Sequence, residues 1–488
     1  MIRRLPGIAV LVLSVTAAAA RVGGGGGYSG GGGDHGGGGD FGLVFGLVRI
    51  LLWLVFSHPL LGIPLVILIL VVLSRASRAG TFRSGVAERP TVYPLAAPRR
   101  EGPVNLTPVR ATDPMFSEPV FLDFAQLVYV RAHELRGKGS REPLAPWMSA
   151  AAIDTLFADR QGLDAVDDVV IGAVKVTQAS TETGFVRLDV RFEANMTETR
   201  GGARAQILTA EIWTFRRKAG VRSPVPARMR ALGCAGCGST LEPKSDGTCP
   251  SCGGVRVGGA TQWEVGAIPY GDRRPLTAPE LSLADGDGVE SGTDRPIVFD
   301  PRLPAAKRTL EGKYPGHDWS AFEARVRAAF LALQKAWSSR TWEDARPYET
   351  DALFQSHRFW MERYRAFGLV NHVDDAAVSS VVVAKIDADA FYDAVTVRIY
   401  ASARDWTEDA HGKIVGGDRS RSTMFSEYWT FLRAVPGSIA PLTSCPTCGA
   451  ALPASGGATV CPSCGSKLEG DSLDWVASRI EQDDAYAG

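Results

Sequence analysis

The sequence has no surplus of charge of either sign. Its 53 Lys and Arg residues balance 53 Asp and Glu residues over a length of 488 residues. A protein that binds nucleic acids in general needs basic side chains to displace counterions from the phosphates. The balance therefore argues against nucleic acid as a partner, although it leaves room for a local basic patch.

The sequence also lacks the short motifs of common catalytic sites. No G-x-S-x-G, H-E-x-x-H or Walker motif is present. His357 and His372 lie near Glu362, Asp374 and Asp375, residue types that an acid–base site would use. Polar helix faces commonly carry the same residues, so we expect no catalytic residues here and a protein that is not an enzyme.

The N-terminal region carries targeting and membrane signals. Residues 1–20 contain two arginines, an apolar stretch and a final run of alanines in which Ala18-Ala19-Ala20 offers an A-x-A cleavage site, the pattern of a cleavable signal peptide or a signal anchor. Residues 21–40 are mostly glycine and predict a flexible linker. Residues 41–75 contain the strongest apolar stretch and predict a transmembrane region, since one span needs about 20 apolar residues.

The number of membrane spans decides the orientation. The apolar stretch fits one tilted span, or two short spans joined by a turn at His58 and Pro59. Arginines follow it, and basic residues favour the cytoplasmic side, so one span predicts cytoplasmic domains. A hairpin of two spans would reverse that orientation.

The remaining chain contains an internal repeat. Residues 129–149 match residues 330–350 without a gap, at an offset of 201. Val190-Arg191-Phe192 corresponds to residues 397–399, and Trp213-Thr214-Phe215 recurs at residues 429–431. The order is the same in both copies. We therefore predict one domain at 110–275, a second at 317–480, and between them a linker at 276–316 that is rich in Pro, Gly and Asp.

Each copy shows helical periodicity first and strand periodicity afterwards. Residues 186–192 alternate between apolar and polar side chains, as in a half-buried strand, and residues 206–216 and 425–433 predict the last long strand of each copy. Ser320 and Glu323 form a capping-box pattern. Helices followed by antiparallel strands predict an α+β fold. The apolar helix faces consist of Phe121, Phe124, Ala125, Val128, Tyr129, Ala132 and Leu135, and of Phe322, Val326, Ala329, Phe330, Leu333 and Trp337.

All eight cysteines belong to two four-cysteine sets, within residues 232–254 and 443–467. Each set has two C-x2-C knuckles, and a glycine that permits a left-handed backbone follows every knuckle. Four thiolates in a tetrahedron select Zn2+ and leave no open position for water, so we predict two structural zinc ribbons. Disulfide pairs or a rubredoxin-like iron site are the alternatives. The predicted ligands are Cys234, Cys237, Cys249, Cys252, Cys445, Cys448, Cys461 and Cys464.

Several further motifs accompany the repeat and the cysteine sets. They are Asp113, Pro114, Phe116, Ser117 and Glu118, residues 121–124, Pro146-Trp147 and Pro347-Tyr348, the repeated Trp-Thr-Phe, and His58, Pro59, Gly62, Ile63 and Pro64 in the membrane segment. In these motifs the chain resembles the C-terminal domain of translocase-of-inner-membrane subunit 44, and more closely bacterial proteins that combine this domain with zinc ribbons. The resemblance implies a fold like that of nuclear-transport-factor-two proteins, in which helices close the concave face of a curved sheet.

The resemblance implies a role at a membrane. The mitochondrial relative tethers a chaperone motor to a translocation channel and contacts acidic lipid, but its N-terminal chaperone-binding region is not recognisable in this sequence. We therefore expect a non-enzymatic scaffold in the bacterial inner membrane, with a protein partner and acidic lipid as a further partner. A carrier of small ligands or lipids, or an enzyme that uses the concave cavity, is the alternative.

Overall fold

The computed structural model describes the chain from residue 104 onward, with gaps. The predicted signal peptide, glycine-rich linker and transmembrane region therefore lie outside the described residues. Within the described part of the chain, no helix is both long and apolar enough to cross a membrane. The described residues are 104–182, 184–229, 248–253, 262–276, 288–290, 292–439, 445, 450–452, 461–463, 475–483, 486 and 488.

The first half places its helices before a four-stranded antiparallel sheet. The strands follow one another across the sheet in chain order, β1-β2-β3-β4. The helices are α1 (Thr107–Thr112), α2 (Glu118–Lys138) and α3 (Ala150–Phe157), with a 3-10 turn at Glu142–Leu144. The strands are β1 (Leu163–Glu182), β2 (Phe185–Arg200), β3 (Ala203–Lys218) and β4 (Glu264–Pro275), with the short helix α4 (Pro226–Met229) before β4.

The second half repeats this order of elements. Its helices are α5 (Leu303–Lys313), α6 (Trp319–Ser339) and α7 (Asp351–Ala366), with a 3-10 turn at Trp342–Tyr348. Its strands are β5 (Val370–Ala388), β6 (Tyr392–Glu408), β7 (Ile414–Ala434) and β8 (Val476–Gln482), again antiparallel and in chain order. The predicted α+β class is confirmed.

The long helix of each half buries the apolar face that its sequence predicts. Every residue of the two predicted faces is buried, from Phe121 to Leu135 on α2 and from Phe322 to Trp337 on α6. On β2, Val186, Leu188 and Val190 face the same core, as their alternation predicts. Each core therefore lies between one long helix and one face of its sheet.

Three expectations need correction. Asp318, not Ser320, caps α6, because its carboxylate accepts a hydrogen bond from the Ser320 amide at 2.8 Å. The segment 276–316 is not simply a linker, since it contains α5. β3 and β7 are not the last strands, because β4 and β8 pair with them beyond the cysteine segments.

The two halves pack against each other. Phe391, Tyr392 and Leu432 of the second half belong to the same core cluster as the residues of α2. Arg110 of α1 pairs with Asp387 of β5, with 3.1 Å between Nη1 and Oδ1. The halves thus share apolar and charged contacts in addition to the chain that joins them.

Candidate functional site

The cysteine segments connect two neighbouring strands in each half. In the first half, Arg216 pairs with Glu264, so the segment between them leaves and re-enters the sheet at one end. In the second half, Leu432 and Val476 bracket the other segment in the same way. The two strands that flank each cysteine segment therefore lead into it and out of it at the same end of the sheet.

Four of the eight predicted ligands lie in the described residues, where Cys249, Cys445 and Cys461 are buried and Cys252 is exposed. Cys445 and Cys461 belong to one small cluster, which brings together one cysteine from each knuckle of the second set. The Ser463 amide donates to Cys461 Sγ at 3.4 Å, and Gly253 has a φ of 69°, in the left-handed region expected after a knuckle. The described positions are Cys249, Cys252, Cys445 and Cys461.

The other four predicted ligands, Cys234, Cys237, Cys448 and Cys464, lie outside the described residues. Within the described ranges, no three His, Cys, Asp or Glu residues are grouped closely enough to hold a metal ion. The zinc sites therefore stay a prediction, with a donor set whose chemistry suits zinc.

A buried polar network occupies the space between α2 and the first sheet. His133 Nε2 lies 3.2 Å from Glu211 Oε2, and the Trp213 indole donates to the same oxygen at 2.9 Å. Tyr129 shares a hydrogen bond of 2.9 Å with Thr209. His133, Trp213 and Tyr129 are fully buried, so the network is sealed from solvent.

Electrostatics keep the glutamate of this network ionised. Burial alone would raise the pKa of Glu211, but the charge and hydrogen bond of His133 and the hydrogen bond from Trp213 bring it below its usual value. Burial lowers the pKa of nearby Arg136 to about 10, well above neutral pH, and Arg136 pairs with Glu198. Buried charges that compensate one another in this way are costly to separate, and they satisfy one another without a substrate.

The second half has a related glutamate–tryptophan contact, but a different residue stands at the position of His133. Glu427 accepts a hydrogen bond of 2.9 Å from the Trp429 indole, as Glu211 does from Trp213. In the ungapped repeat, Gln334 replaces His133 and is also buried. We did not predict these glutamates, although the glutamate two residues before each Trp-Thr-Phe is a visible signal in the repeat.

The first residue of the family-like motif has a structural role. Asp113 is buried and accepts hydrogen bonds from Arg217 at 2.8 Å and from the Ser223 hydroxyl at 2.7 Å. The Arg217 guanidinium also lies 4.5 Å from the ring centroid of Trp263. Asp113, which follows the last residue of α1, is thus tied to the end of β3, and Arg217 extends the contact to the tryptophan that follows the cysteine segment.

The histidines considered for acid–base chemistry occupy two different environments. His357 is buried, with Nδ1 2.7 Å from Glu349 Oε2, and burial lowers its pKa well below the usual value. We expected His372, Asp374 and Asp375 to lie on a polar helix face, but they lie on β5. They line an open groove of about 560 Å³ between α6 and β5, together with Leu331, Gln334, Lys335, Ser338, Ser339, Val373 and Ala376.

The described halves define a class of α+β protein in which long helices cover one face of antiparallel sheets. Residues 305–441, in the second half, match the family model for the Tim44-like domain. This part of the chain therefore carries a Tim44-like domain, which confirms the family resemblance there. The match does not include the first half, so a tandem pair of such domains stays a prediction.

Two further comparisons add little. No curated protein matches the chain. One solved structure, described as an Ntf2 like protein involved in plasmid conjugation, is 10% identical, and the match covers 73% of this chain and 96% of that one with a TM-score of 0.13. A likeness at that TM-score supports no inference about fold or function.

Proposed function

We propose that this protein is a non-enzymatic, membrane-anchored scaffold that binds other proteins, with acidic lipid as a further ligand. The Tim44-like domain supports this proposal, because such domains are associated with membrane-linked protein interactions. The proposal includes a fold like that of nuclear-transport-factor-two proteins for both halves and a zinc ribbon in each.

The filled interior of the first half is the observation that carries the proposal. A pocket enzyme or carrier with this fold would need an open space between the long helix and the concave sheet face. Here Tyr129 stacks on Phe192 with ring centroids 4.5 Å apart, and Trp213 packs 4.9 Å from Tyr129. These buried rings occupy the space that a substrate would use, which favours binding at the surface.

The open groove between α6 and β5 is the surface that we propose for a partner. Leu331 is 43% exposed there, beside charged Lys335 and Asp375. His372, which also lines the groove, stacks on Trp406 with ring centroids 4.9 Å apart, so its ring is held in place. An apolar residue within a polar rim is the usual composition of a protein contact.

A pair of surface variants tests the scaffold. The full-length chain is solubilised in detergent after crosslinking, and its co-purifying proteins are compared between wild type, Leu331→Glu and Val225→Glu. Val225 is also an exposed apolar residue, at 46%, but lies outside the groove. We expect Leu331→Glu to lose a partner that Val225→Glu retains. Identical partner sets for all three proteins, or turnover of a substrate by the purified chain, would count against the scaffold.

Metal content tests the ribbons. Two closed four-cysteine sets imply two zinc ions per chain. Elemental analysis of the purified protein should find both, with its thiols reduced. One metal or none, accompanied by oxidised thiols, would favour the disulfide alternative.

Membrane extraction tests the anchor. The apolar region 41–75 should keep the full-length chain in the membrane during carbonate washing. A chain that lacks the residues before about residue 87 should be released from the membrane by the same washing. Cysteine labelling from each side of intact cells then decides the orientation, and labelling of the domains from outside would contradict a cytoplasmic location.

A further inference from the structure

A second cavity lies on the outer face of the second sheet. Val397 and Ile399 of β6 face the core beneath α6, so Arg398 between them faces the opposite side. Tyr428 of β7 belongs to a separate cluster on that side. The cavity has a volume of about 250 Å³ and is lined by Arg295, Pro296, Val298, Arg398, Tyr428, Asp483 and Tyr486.

The cavity is built around a buried arginine. Arg398 is fully buried and donates hydrogen bonds to the carbonyl oxygens of Arg295 at 2.6 Å and Gly292 at 2.9 Å. Its Nη2 also lies 2.9 Å from Asp483 Oδ1. Arg398 therefore holds the segment before α5 over the sheet, and its charge is compensated by Asp483.

The Tyr486 hydroxyl and the Arg295 guanidinium also belong to the cavity lining, and neither takes part in the contacts of Arg398. The Tyr486 side chain is buried, and its hydroxyl has no hydrogen-bond partner among the described residues. Burial raises the pKa of Tyr486, so the hydroxyl keeps its proton and stays a donor. Arg295 is exposed at the edge of the cavity. Among the residues that line the cavity, Arg295 and Arg398 outnumber Asp483, so the lining itself carries one net positive charge. The carboxylates of Glu481 and Asp300 act on Tyr486 from outside the lining.

The first half shows that the repeat does not require this cavity. Arg191 corresponds to Arg398 in the repeat, yet it is 28% exposed and pairs with Glu193 at 2.9 Å. Ile212, which pairs with residues of both β2 and β4, occupies the position that Tyr428 has in the second half. The second half has thus acquired a covered polar cavity on a face that the first half leaves partly open.

We propose that this cavity binds a small molecule that carries a carboxylate on a compact apolar body. The carboxylate accepts a hydrogen bond from the Tyr486 hydroxyl and pairs with the Arg295 guanidinium. Pro296, Val298 and the Tyr428 ring enclose the apolar body. The volume limits the ligand to a size below that of most drug-like molecules, whose pockets begin near roughly 300 Å³.

Calorimetric titration of the full-length chain with three small probes tests this site. The probes are benzoate, its neutral amide benzamide and the cationic benzylamine. We expect saturable binding of benzoate alone, weakened about tenfold or more by Tyr486→Phe or by Arg295→Gln, because each removes one contact to a charged group. Arg419→Gln, which removes an exposed arginine near Trp406, is the matched control and should bind as wild type does.

Several outcomes would overturn the proposal. Equal binding of benzamide and benzoate would show that charge is not recognised, and so would unchanged binding in both variants. Absence of saturable benzoate binding at every concentration that the protein tolerates would refute the site. Thermal unfolding of each variant shows whether lost binding reflects lost folding, and Tyr486→Phe keeps the ring stacked on Tyr428 for this reason. None of these outcomes bears on the scaffold, whose test uses the other groove.

Discussion

At the scale of single residues, the buried pair of His133 and Glu211 is the most informative feature of the first half. Both groups are enclosed, and Glu211 also accepts the Trp213 hydrogen bond. The second half keeps the glutamate and tryptophan but has Gln334 in place of the histidine. A neutral hydrogen-bonding side chain is therefore compatible with this environment.

This comparison predicts the cost of two substitutions. His133→Ala leaves the buried Glu211 without its partner and should destabilise the protein by about 3 kcal/mol. His133→Gln introduces the neutral side chain that the second half has at this position and supplies an amide donor, so it should cost less than half as much. Urea denaturation of both variants measures the difference in the free energy of unfolding. Equal losses would show that the imidazole charge, and not a hydrogen bond, is what Glu211 requires.

The lowered pKa of Glu211 predicts a pH dependence. Its carboxyl has a folded pKa below the usual 4.5, so it stabilises the fold above that pH and loses this contribution as the pH falls through the folded pKa. The stability difference between wild type and Glu211→Gln should therefore shrink below about pH 4.5. Denaturation at neutral and acidic pH measures it, with Glu193→Gln, at a half-buried glutamate that pairs with Arg191, as the control. A difference that does not change with pH would contradict the assignment.

At the scale of elements, each cysteine segment is an insertion between two paired strands. β3 and β4 pair from Ile207 to Arg216, and the helix faces are complete without the inserted residues. Trp263, at the return to the sheet, is fully buried and packs 4.9 Å from Phe121. Among the described residues, the core of the first half includes this tryptophan but neither Cys249 nor Cys252.

Loss of one knuckle should accordingly have a local effect. Replacing Cys249 and Cys252 by serine should abolish protection from hydrogen exchange between about residues 234 and 262 and leave α2 and β2 protected. Metal binding in such small modules contributes roughly 10 kcal/mol, so the local loss should be complete. Ser251→Ala, within the same knuckle, serves as the control. Loss of protection across residues 121–135 as well would make the ribbon an integral part of the core.

At the scale of the whole molecule, the contact between the halves depends on a glycine. A Cβ added to Gly172 of β1 would lie 2.7 Å from the Phe359 ring on α7. Ser356 of the same helix donates a hydrogen bond to the Gly172 carbonyl oxygen. The absence of a side chain at residue 172 is therefore what allows α7 to approach the first sheet so closely.

A methyl group at this position should loosen the interface. Gly172→Ala should destabilise the protein by about 1 to 3 kcal/mol, because Phe359 must move to avoid the new atom. Gly271→Ala, in another strand, meets its nearest atom at 3.8 Å and should be nearly neutral. Thermal unfolding compares the two variants, and hydrogen exchange in α7 locates the change. Similar effects of both substitutions would mean that the close approach has no energetic role.

Local patterns in the sequence determined the helix faces, the β2 alternation, the α+β class and the two cysteine sets, because each depends on spacing within one short segment. The same patterns missed β1 and β5. Both strands carry a bulge, at Asp167/Val170 and at Asp374/Ala377, which interrupts the two-residue period.

The tertiary structure alone decided where the polar groups find their partners. Glu211 is separated from His133 by 78 residues, and Arg398 from the Arg295 carbonyl by 103. Whether a charged residue on a strand faces solvent or a buried partner depends on which distant segment covers it, and periodicity contains no information about that segment. For the same reason, the repeat aligned Arg191 with Arg398, but only the packing of residues 292–298 over the second sheet made one of them part of a cavity.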